Sequence, residues 1–312
     1  MTPDLQSVLF PEGPQAADIA TLATVLFAIA AIVLVVVIAA VAIAVWGSSR
    51  LRARLANDMA VNIGGIVFPV VVLSALLGYG IWTTRAAMTP ADSGDTFNVA
   101  VVGKQWWWAV KYTAPDGTTI SSANEVRIPV GHGVTFTLTS MDVIHSFWIP
   151  SLGGKVDMIP GRSNRLRLAA ERAGIYRGMC AEYCGGAHAL MAFSVVAMEE
   201  PDFVAWLAAE AAPAREPISA MAIEGRDVFL SAGCGACHTI RGTVAAGTIG
   251  PDLTHLGGRR SVGVDTLPMN AANVARFIAD GQHIKPNNLM PPFRIFSNDE
   301  LAALSLYLVG LE

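Results

Sequence analysis

Charged side chains are scarce in this chain of 312 residues, where they make up 15% of the sequence against about 25% in an average soluble domain. Hydrophobic residues make up 53%, which excludes a disordered or collagen-like chain and indicates that part of the sequence lies in lipid. The net charge is −4, and no long basic run occurs, so the composition gives no support to nucleic-acid binding. The length allows two or three domains.

Cysteine is scarce too, because four cysteines in a chain of this length are too few for a disulfide scaffold. All four fall in two tight pairs, Cys180/Cys184 and Cys234/Cys237, and each pair has a histidine nearby. This arrangement favours metal or haem binding over disulfide bonds.

Two uncharged apolar runs, residues 19–46 and 63–82, lie near the N-terminus. At 1.5 Å per residue the first would span about 42 Å, more than the roughly 30 Å hydrocarbon core of a bilayer. The sequence therefore predicts transmembrane helices over 19–46 and 63–83. The alternative for the first run is a signal peptide. The run is too long for one and lacks the basic start that signal peptides have. A buried soluble helix is the alternative for the second.

The charges that flank these runs predict how the chain crosses the membrane. The connecting loop, residues 47–62, carries three arginines against one acid, whereas the tail, residues 1–18, carries acids and no Lys or Arg. The positive-inside rule therefore places the loop in the cytoplasm and both termini outside. In a bacterium this is a two-pass protein of the inner membrane whose domains face the periplasm.

The remainder divides into a β-rich part and a helical part. Residues 90–200 contain short runs rich in β-branched and aromatic residues, at 96–102, 125–130 and 134–140, separated by turn signals such as Pro115-Asp116-Gly117. This spacing predicts a β-sandwich or barrel.

A linker is predicted over residues 201–219, which are Ala-rich and then Pro-rich, and a helical domain over 220–312. Ser297 followed by Glu300 predicts a capping box at the start of the last helix.

The first cysteine pair belongs to a dense set of potential ligands. The set comprises Cys180, Glu182, Cys184, His188 and Met191, with His145 upstream. Thiolates, imidazoles and a thioether form a soft set that favours copper. Two thiolates on one loop can bridge two metal ions, with one histidine on each, and such sharing suits one-electron transfer. A disulfide and a structural zinc site are the alternatives, and Met191 argues against both.

The second pair lies in Cys234-Gly235-Ala236-Cys237-His238, the signature of covalently bound c-type haem, in which His238 becomes the proximal iron ligand. A thioredoxin-like pair or a chance match is the alternative, and the helical context opposes it. The candidates for the distal ligand are Met290, Met269, His255 and His283. We favour Met290, because its segment Asn-Leu-Met-Pro-Pro resembles the distal loop of class I cytochromes c. In the same way, Pro251 resembles the proline whose carbonyl accepts the His238 ring N–H.

Three long motifs resemble subunit II of cytochrome c oxidase: residues 142–153 (DVIHSFWIPSLG), 157–162 (DMIPGR) and 180–185 (CAEYCG). The resemblance implies a cupredoxin-like Greek-key barrel that holds the dinuclear CuA centre. It implies five side-chain ligands, and a sixth through the carbonyl of Glu182, whose carboxylate faces a magnesium ion at the boundary with subunit I. The implied side-chain ligands are His145, Cys180, Cys184, His188 and Met191. Residues 103–108 (GKQWWW) resemble the family's electron-entry segment, and Trp106 matches its first tryptophan.

The sequence thus predicts a multidomain membrane protein with a two-helix hairpin, an all-β cupredoxin-like domain and an all-α class I cytochrome c. It resembles subunit II of a caa-type oxidase. This implies electron transfer from cytochrome c or another periplasmic donor, through haem c and CuA, to subunit I, with subunit III as a further partner. Oxygen reduction to water, coupled to proton translocation, would occur in the partner subunits. The CuA subunit of a nitric oxide reductase and a membrane-tethered copper-delivery protein are the alternatives; CxxCH and Met191 oppose the latter.

Overall fold

The computed structural model describes residues 6–88, 97–114 and 117–312. The chain divides into two compact units, one of residues 17–92 and one formed by residues 1–16 together with 93–312. Pro115 and Asp116 of the expected turn, and residues 90–96 at the expected start of the β-rich part, lie outside the described residues.

The apolar N-terminal part is helical, as the hydropathy pattern predicts. Its helices are α1 Pro14–Trp46, α2 Ser49–Leu55, α3 Asp58–Asn62 and α4 Phe68–Met88, with a π-helical turn at Ile63–Val67 between α3 and α4. Pro14–Trp46 and the continuous helix Asp58–Arg85 are each long and apolar enough to cross a membrane.

Two details of this part depart from a simple hairpin with an irregular loop. The segment 47–62 forms the short helices α2 and α3, and the Asn57 side chain caps α3 by accepting a hydrogen bond from the Met59 N–H. The π-helical turn lies just before Pro69. In a regular helix the proline ring would clash with the carbonyl four residues earlier, so a widened turn relieves the clash.

The described residues of the β domain (97–114 and 117–211) form ten strands and one α-helix. The strands are β1 Phe97–Lys104, β2 Trp107–Thr113, β3 Thr119–Ala123, β4 Glu125–Pro129, β5 Val134–Ser140, β6 His145–Trp148, β7 Val156–Met158, β8 Asn164–Leu168, β9 Gly174–Cys180 and β10 Ala192–Met198, and the helix is α5 Glu200–Ala211. They form two five-stranded sheets in the orders β3-β2-β1-β5-β8 and β4-β10-β9-β6-β7. The predicted all-β, cupredoxin-like architecture is confirmed.

The core of the β domain is aromatic. Trp108, Phe136, Phe147 and Phe193 are buried together, and the rings of Phe147 and Phe193 stack with their centroids 4.5 Å apart. Large aromatic side chains contribute much of the apolar area that such a core removes from water. The ligand-bearing ends of β6 and β9 are therefore attached to a rigid interior.

Residues 6–13 pack against the β domain rather than trailing from it. The Glu12 N–H donates to the Ser151 carbonyl at 2.8 Å, and the Glu171 N–H donates to the Glu12 carbonyl at 2.9 Å. A Cβ at Gly13 would lie 2.3 Å from the Ala169 carbonyl oxygen, so this approach requires glycine. Residues 6–13 are thus held on the β domain.

The segment 201–219 begins as helix α5. Phe203 is buried in the core of the β domain, and the Trp206 ring lies 5.1 Å from the Tyr112 ring. The residues between α5 and the next helix, 212–219, have no regular secondary structure.

The helical domain (residues 220–312) is built from α6 Ala220–Ser231, α7 Ala271–Ile284 and α8 Asn298–Val309, with a 3₁₀ turn at Cys234–Ala236 and two short strands, β11 Ser261–Val262 and β12 Leu267–Pro268. The predicted capping box at Ser297 and Glu300 is present at the start of α8. Helices α6 and α8 cross at Gly225, where a Cβ would lie 2.0 Å from the Ala303 carbonyl oxygen.

Replacing Gly225 by alanine is therefore expected to force the two helices apart and to destabilise the helical domain by about 1–3 kcal/mol, the usual cost of overpacking. Hydrogen exchange resolved by peptide measures the free energy of opening of α6 and α8. Gly258→Ala is the matched control, since its nearest atom would lie at 3.6 Å. Equal protection in the two variants would contradict the expectation.

Candidate metal centre and haem site

Two thiols lie side by side at one end of the β domain. Cys180 ends β9, which pairs with β6, and β6 begins at His145. The sulfur of Cys180 lies 3.8 Å from the sulfur of Cys184 and 3.8 Å from His145 Nδ1. A disulfide would require about 2.05 Å, and both cysteines are free and buried. The disulfide alternative therefore does not describe this pair.

The remaining sequence-predicted ligands surround the same two sulfurs. Cys184 Sγ lies 3.5 Å from His188 Nδ1 and 3.7 Å from Met191 Sδ. Cys180 Sγ lies 3.2 Å from the carbonyl oxygen of Glu182. The short 3₁₀ turn His188–Leu190 brings His188 and Met191 back toward the thiols. All six predicted ligands thus converge, each thiol having one imidazole beside it.

Hydrogen bonds within the pair favour the thiolate form of Cys180, which metal binding requires. The hydrogen bond with the Cys184 thiol lowers the pKa of Cys180 well below its usual value, and the neighbouring Cys180 group raises the pKa of Cys184. One thiolate is thus favoured before metal arrives, and a cation favours loss of the second proton. Soft donors that converge around two buried thiols not bonded to each other fit a dinuclear copper centre.

Asp142 is a functional residue to which sequence reasoning gave no role. Its Oδ1 accepts a hydrogen bond from His145 Nε2 at 2.9 Å, and its Oδ2 accepts one from the Gln105 N–H at 2.7 Å. Burial opposes the protonated form of His145, but its bonds to Cys180 and Asp142 prevail and raise its pKa. Because the carboxylate holds Nε2, the other ring nitrogen, Nδ1, faces the thiols. Carboxylates hydrogen-bonded to metal-binding histidines commonly orient the ring in this way. Its place three residues before His145 was the available signal.

The residues Cys234, Cys237 and His238 line a cavity of about 240 Å³, together with Met290 and apolar side chains such as Phe229. His238 Nδ1 donates to the Pro251 carbonyl at 2.8 Å, the contact that the resemblance implied. Burial lowers the pKa of His238, which favours the neutral imidazole that ligates iron. Two cysteines, one histidine and an apolar cavity fit covalent haem.

The four candidates for the distal ligand all lie in the described part of the chain, and Met290 is the one that lines this cavity. His255 Nε2 is hydrogen-bonded to the Ala212 carbonyl at 3.0 Å. Met269 packs against the helical core, and His283 is exposed. The geometry therefore favours Met290.

Trp106 contacts both sites. Its side chain is 8% exposed, and its Nε1 donates to the Cys184 carbonyl at 2.9 Å. The same residue lines the cavity that contains Cys234, Cys237 and His238. A single aromatic side chain thus lies between the thiol pair and the candidate haem cavity.

Comparisons with known proteins agree with this division of the chain. Residues 97–198 match the family described as cytochrome c oxidase subunit II, periplasmic domain, and residues 222–312 match the family described as cytochrome c. Cytochrome c oxidase subunit 2 of Alkalihalophilus pseudofirmus is 35% identical over 273 residues, which cover 85% of this chain and 77% of that protein. The subunit 2 proteins of Bacillus subtilis and of Bacillus sp. strain PS3 are each 31% identical. Those two alignments cover 85% and 79% of this chain, and 78% and 72% of the relatives.

Proposed function

The chain belongs to the cytochrome c oxidase subunit II family and carries a cytochrome c domain, and from this premise we propose that it relays electrons from a donor, through its own haem c and CuA centre, to subunit I. The observation that carries the proposal is the placement of Trp106, which lines the haem cavity and hydrogen-bonds to the Cys184 carbonyl. Haem and copper, when bound, supply one-electron oxidation and reduction.

The residues of the chain set the conditions for that transfer. Copper would be held by the buried side chains His145, Cys180, Cys184 and Met191 and by the half-buried Glu182 and His188. Cys234 and Cys237 would anchor the haem covalently, and His238 and Met290, which line the same cavity, would ligate its iron. The Pro251 carbonyl fixes the His238 tautomer, and Asp142 fixes that of His145. Such fixed surroundings keep the cost of reorganisation low when an electron arrives.

The proposed assembly places this subunit in the bacterial inner membrane, with α1 and the helix 58–85 as its spans. The docking of residues 6–13 on the β domain supports a topology in which both termini are periplasmic, as the positive-inside rule predicts. Subunits I and III would be its partners, with oxygen reduction and proton translocation in those subunits. The Glu182 carboxylate, whose Oε2 lies 3.5 Å from Lys155 Nζ, would face a magnesium ion at the boundary with subunit I.

Metal content and internal electron transfer test the proposal together. The full chain, matured with haem and loaded with copper in detergent, is expected to contain about two copper atoms per haem iron, which is the stoichiometry of a bridged pair. After photoreduction of the haem, the copper absorbance should change at the rate at which the haem reoxidises. One copper or none beside intact haem, or haem reoxidation without a copper signal, would contradict the relay.

A further inference from the structure

Lys285 is a buried lysine that crosses from the helical domain to the β domain. It follows α7, its side chain is 2% exposed, and its Nζ lies 2.7 Å from the Trp106 carbonyl oxygen and 2.9 Å from the Leu190 carbonyl oxygen. A third acceptor, the Gly263 carbonyl, lies at 3.4 Å within its own domain. Three carbonyl oxygens match the three N–H donors of an ammonium group.

Burying such a group is unfavourable, since all three acceptors are neutral carbonyls. Burial lowers the pKa of Lys285 to about 7, which records the cost of removing the ammonium from water. A buried ammonium therefore contributes little net stability, although hydrogen bonds to a charged donor are individually strong. The hydrogen bonds of Lys285 therefore serve to select one arrangement of the helical domain against the β domain.

The side chain and the backbone carbonyl of Lys285 are each linked by hydrogen bonds to residues beside a candidate redox site. On the β-domain side, Trp106 Nε1 donates a hydrogen bond to the Cys184 carbonyl, and Leu190 immediately precedes Met191. On the helical-domain side, the Asn288 side chain donates to the Lys285 carbonyl at 2.9 Å and accepts from the Met290 N–H at 2.9 Å. One short chain of hydrogen bonds thus joins the Met290 loop to the two backbone segments beside the thiols.

We propose that Lys285 is a positioning residue that fixes the Met290 loop of the helical domain against the copper-binding loop of the β domain. The inference rests on the proposed function, because the geometry that it fixes is the one across which the electron would pass. In that step the haem iron would give up one electron and the copper centre would take it up. No bond is made or broken, and no proton moves.

The test uses the full haem- and copper-loaded chain with Lys285→Met, which keeps the aliphatic length and removes the ammonium. Lys104→Met is the matched control, since Lys104 Nζ also reaches the helical domain, at the Thr248 carbonyl 3.1 Å away, but from an exposed position. Hydrogen exchange should accelerate by about tenfold or more in peptides covering 104–107 and 187–191 of Lys285→Met. The substitution leaves the Trp106 and Leu190 carbonyl oxygens buried without this donor, and a buried acceptor left unpaired shifts an opening equilibrium by about that factor. Lys104→Met should stay within about twofold of the wild type.

Internal electron transfer gives the second measurement. In Lys285→Met the photoinduced haem-to-copper rate should fall by about tenfold or more and become dependent on solvent viscosity, because the domains must then re-dock before each transfer. Haem and copper spectra should be unchanged. A variant that matches the wild type in both exchange and rate would overturn the inference.

The remaining outcomes are also decisive. If Lys285→Met lost a cofactor, Lys285→Gln, which keeps a shorter donor, should retain both cofactors and show the slower, viscosity-dependent rate. Loss of haem or copper from both variants would overturn the inference, because the residue would then hold a site together rather than set a geometry. If the wild type itself passed no electron from haem to copper, the proposed function would fail, and the exchange data would still report whether Lys285 holds the domains together.

Discussion

Replacing Cys184 by serine is expected to abolish the dinuclear copper centre and to stop electron flow from haem to subunit I. Cys184 supplies one of the two sulfurs that lie 3.8 Å apart, and its sulfur is also the one nearest His188 and Met191. A serine hydroxyl is a hard, protonated donor at neutral pH, so it cannot replace a bridging thiolate. Copper should fall from about two atoms per haem iron to one or none, and haem content should not change.

Metal analysis and electron paramagnetic resonance measure this outcome directly, and turnover with the natural donor measures its consequence. Tyr183→Phe is a suitable control, because Tyr183 lies in the same loop and is 76% exposed. That variant should keep both copper atoms and normal turnover. Persistent turnover in Cys184→Ser, with no copper in the β domain, would show that copper is not on the path.

The parts of both sites that follow from local spacing could be predicted from the sequence. CxxCH places two thiols and an imidazole close together in the sequence, and in the structure all three line one cavity. The loop from Cys180 to Met191 likewise carries five of its six ligands within twelve residues of sequence. His145 was a candidate 35 residues upstream of Cys180, the family resemblance implied it as a ligand, and the pairing of β6 with β9 brings it to the thiols.

The contacts that depend on distant segments could not be predicted. Lys285 and the Trp106 carbonyl are 179 positions apart, and the sequence around a lysine after a helix resembles that of an ordinary exposed position. Helix α5 lies in the segment expected to be a linker, and its Ala-rich composition does not reveal that Phe203 enters the core of the β domain. Burial of this kind is decided by tertiary packing, on which local pattern carries little information.

Helices α2 and α3 were missed for a different reason. They are seven and five residues long, too short for a periodic apolar stripe to be recognised. Their segment is also rich in charge, which the positive-inside rule interprets as a connection between spans. The Asn57 cap was the available local signal.

Replacing Met290 by alanine is expected to leave the haem attached and to open its distal side. The covalent bonds would come from Cys234 and Cys237, which this substitution does not touch, and Met290 lines the same cavity as His238, whose ring is held by the Pro251 carbonyl. Loss of a thioether ligand should lower the reduction potential, since Met/His ligation raises it. The ferrous protein should then bind about one carbon monoxide per haem, as an open axial position allows.

Met269→Ala is the matched control, because Met269 packs against the same helical core and was the second candidate in the sequence. It should keep a closed, six-coordinate haem that does not react with carbon monoxide. The loop around Met290 is held independently of the thioether, since Gln282 Nε2 donates to the Met290 carbonyl at 3.0 Å, so the alanine variant should keep its backbone in place. If Met290→Ala stayed unreactive while Met269→Ala bound carbon monoxide, the distal ligand would be Met269, and Lys285 would no longer be connected to an axial ligand.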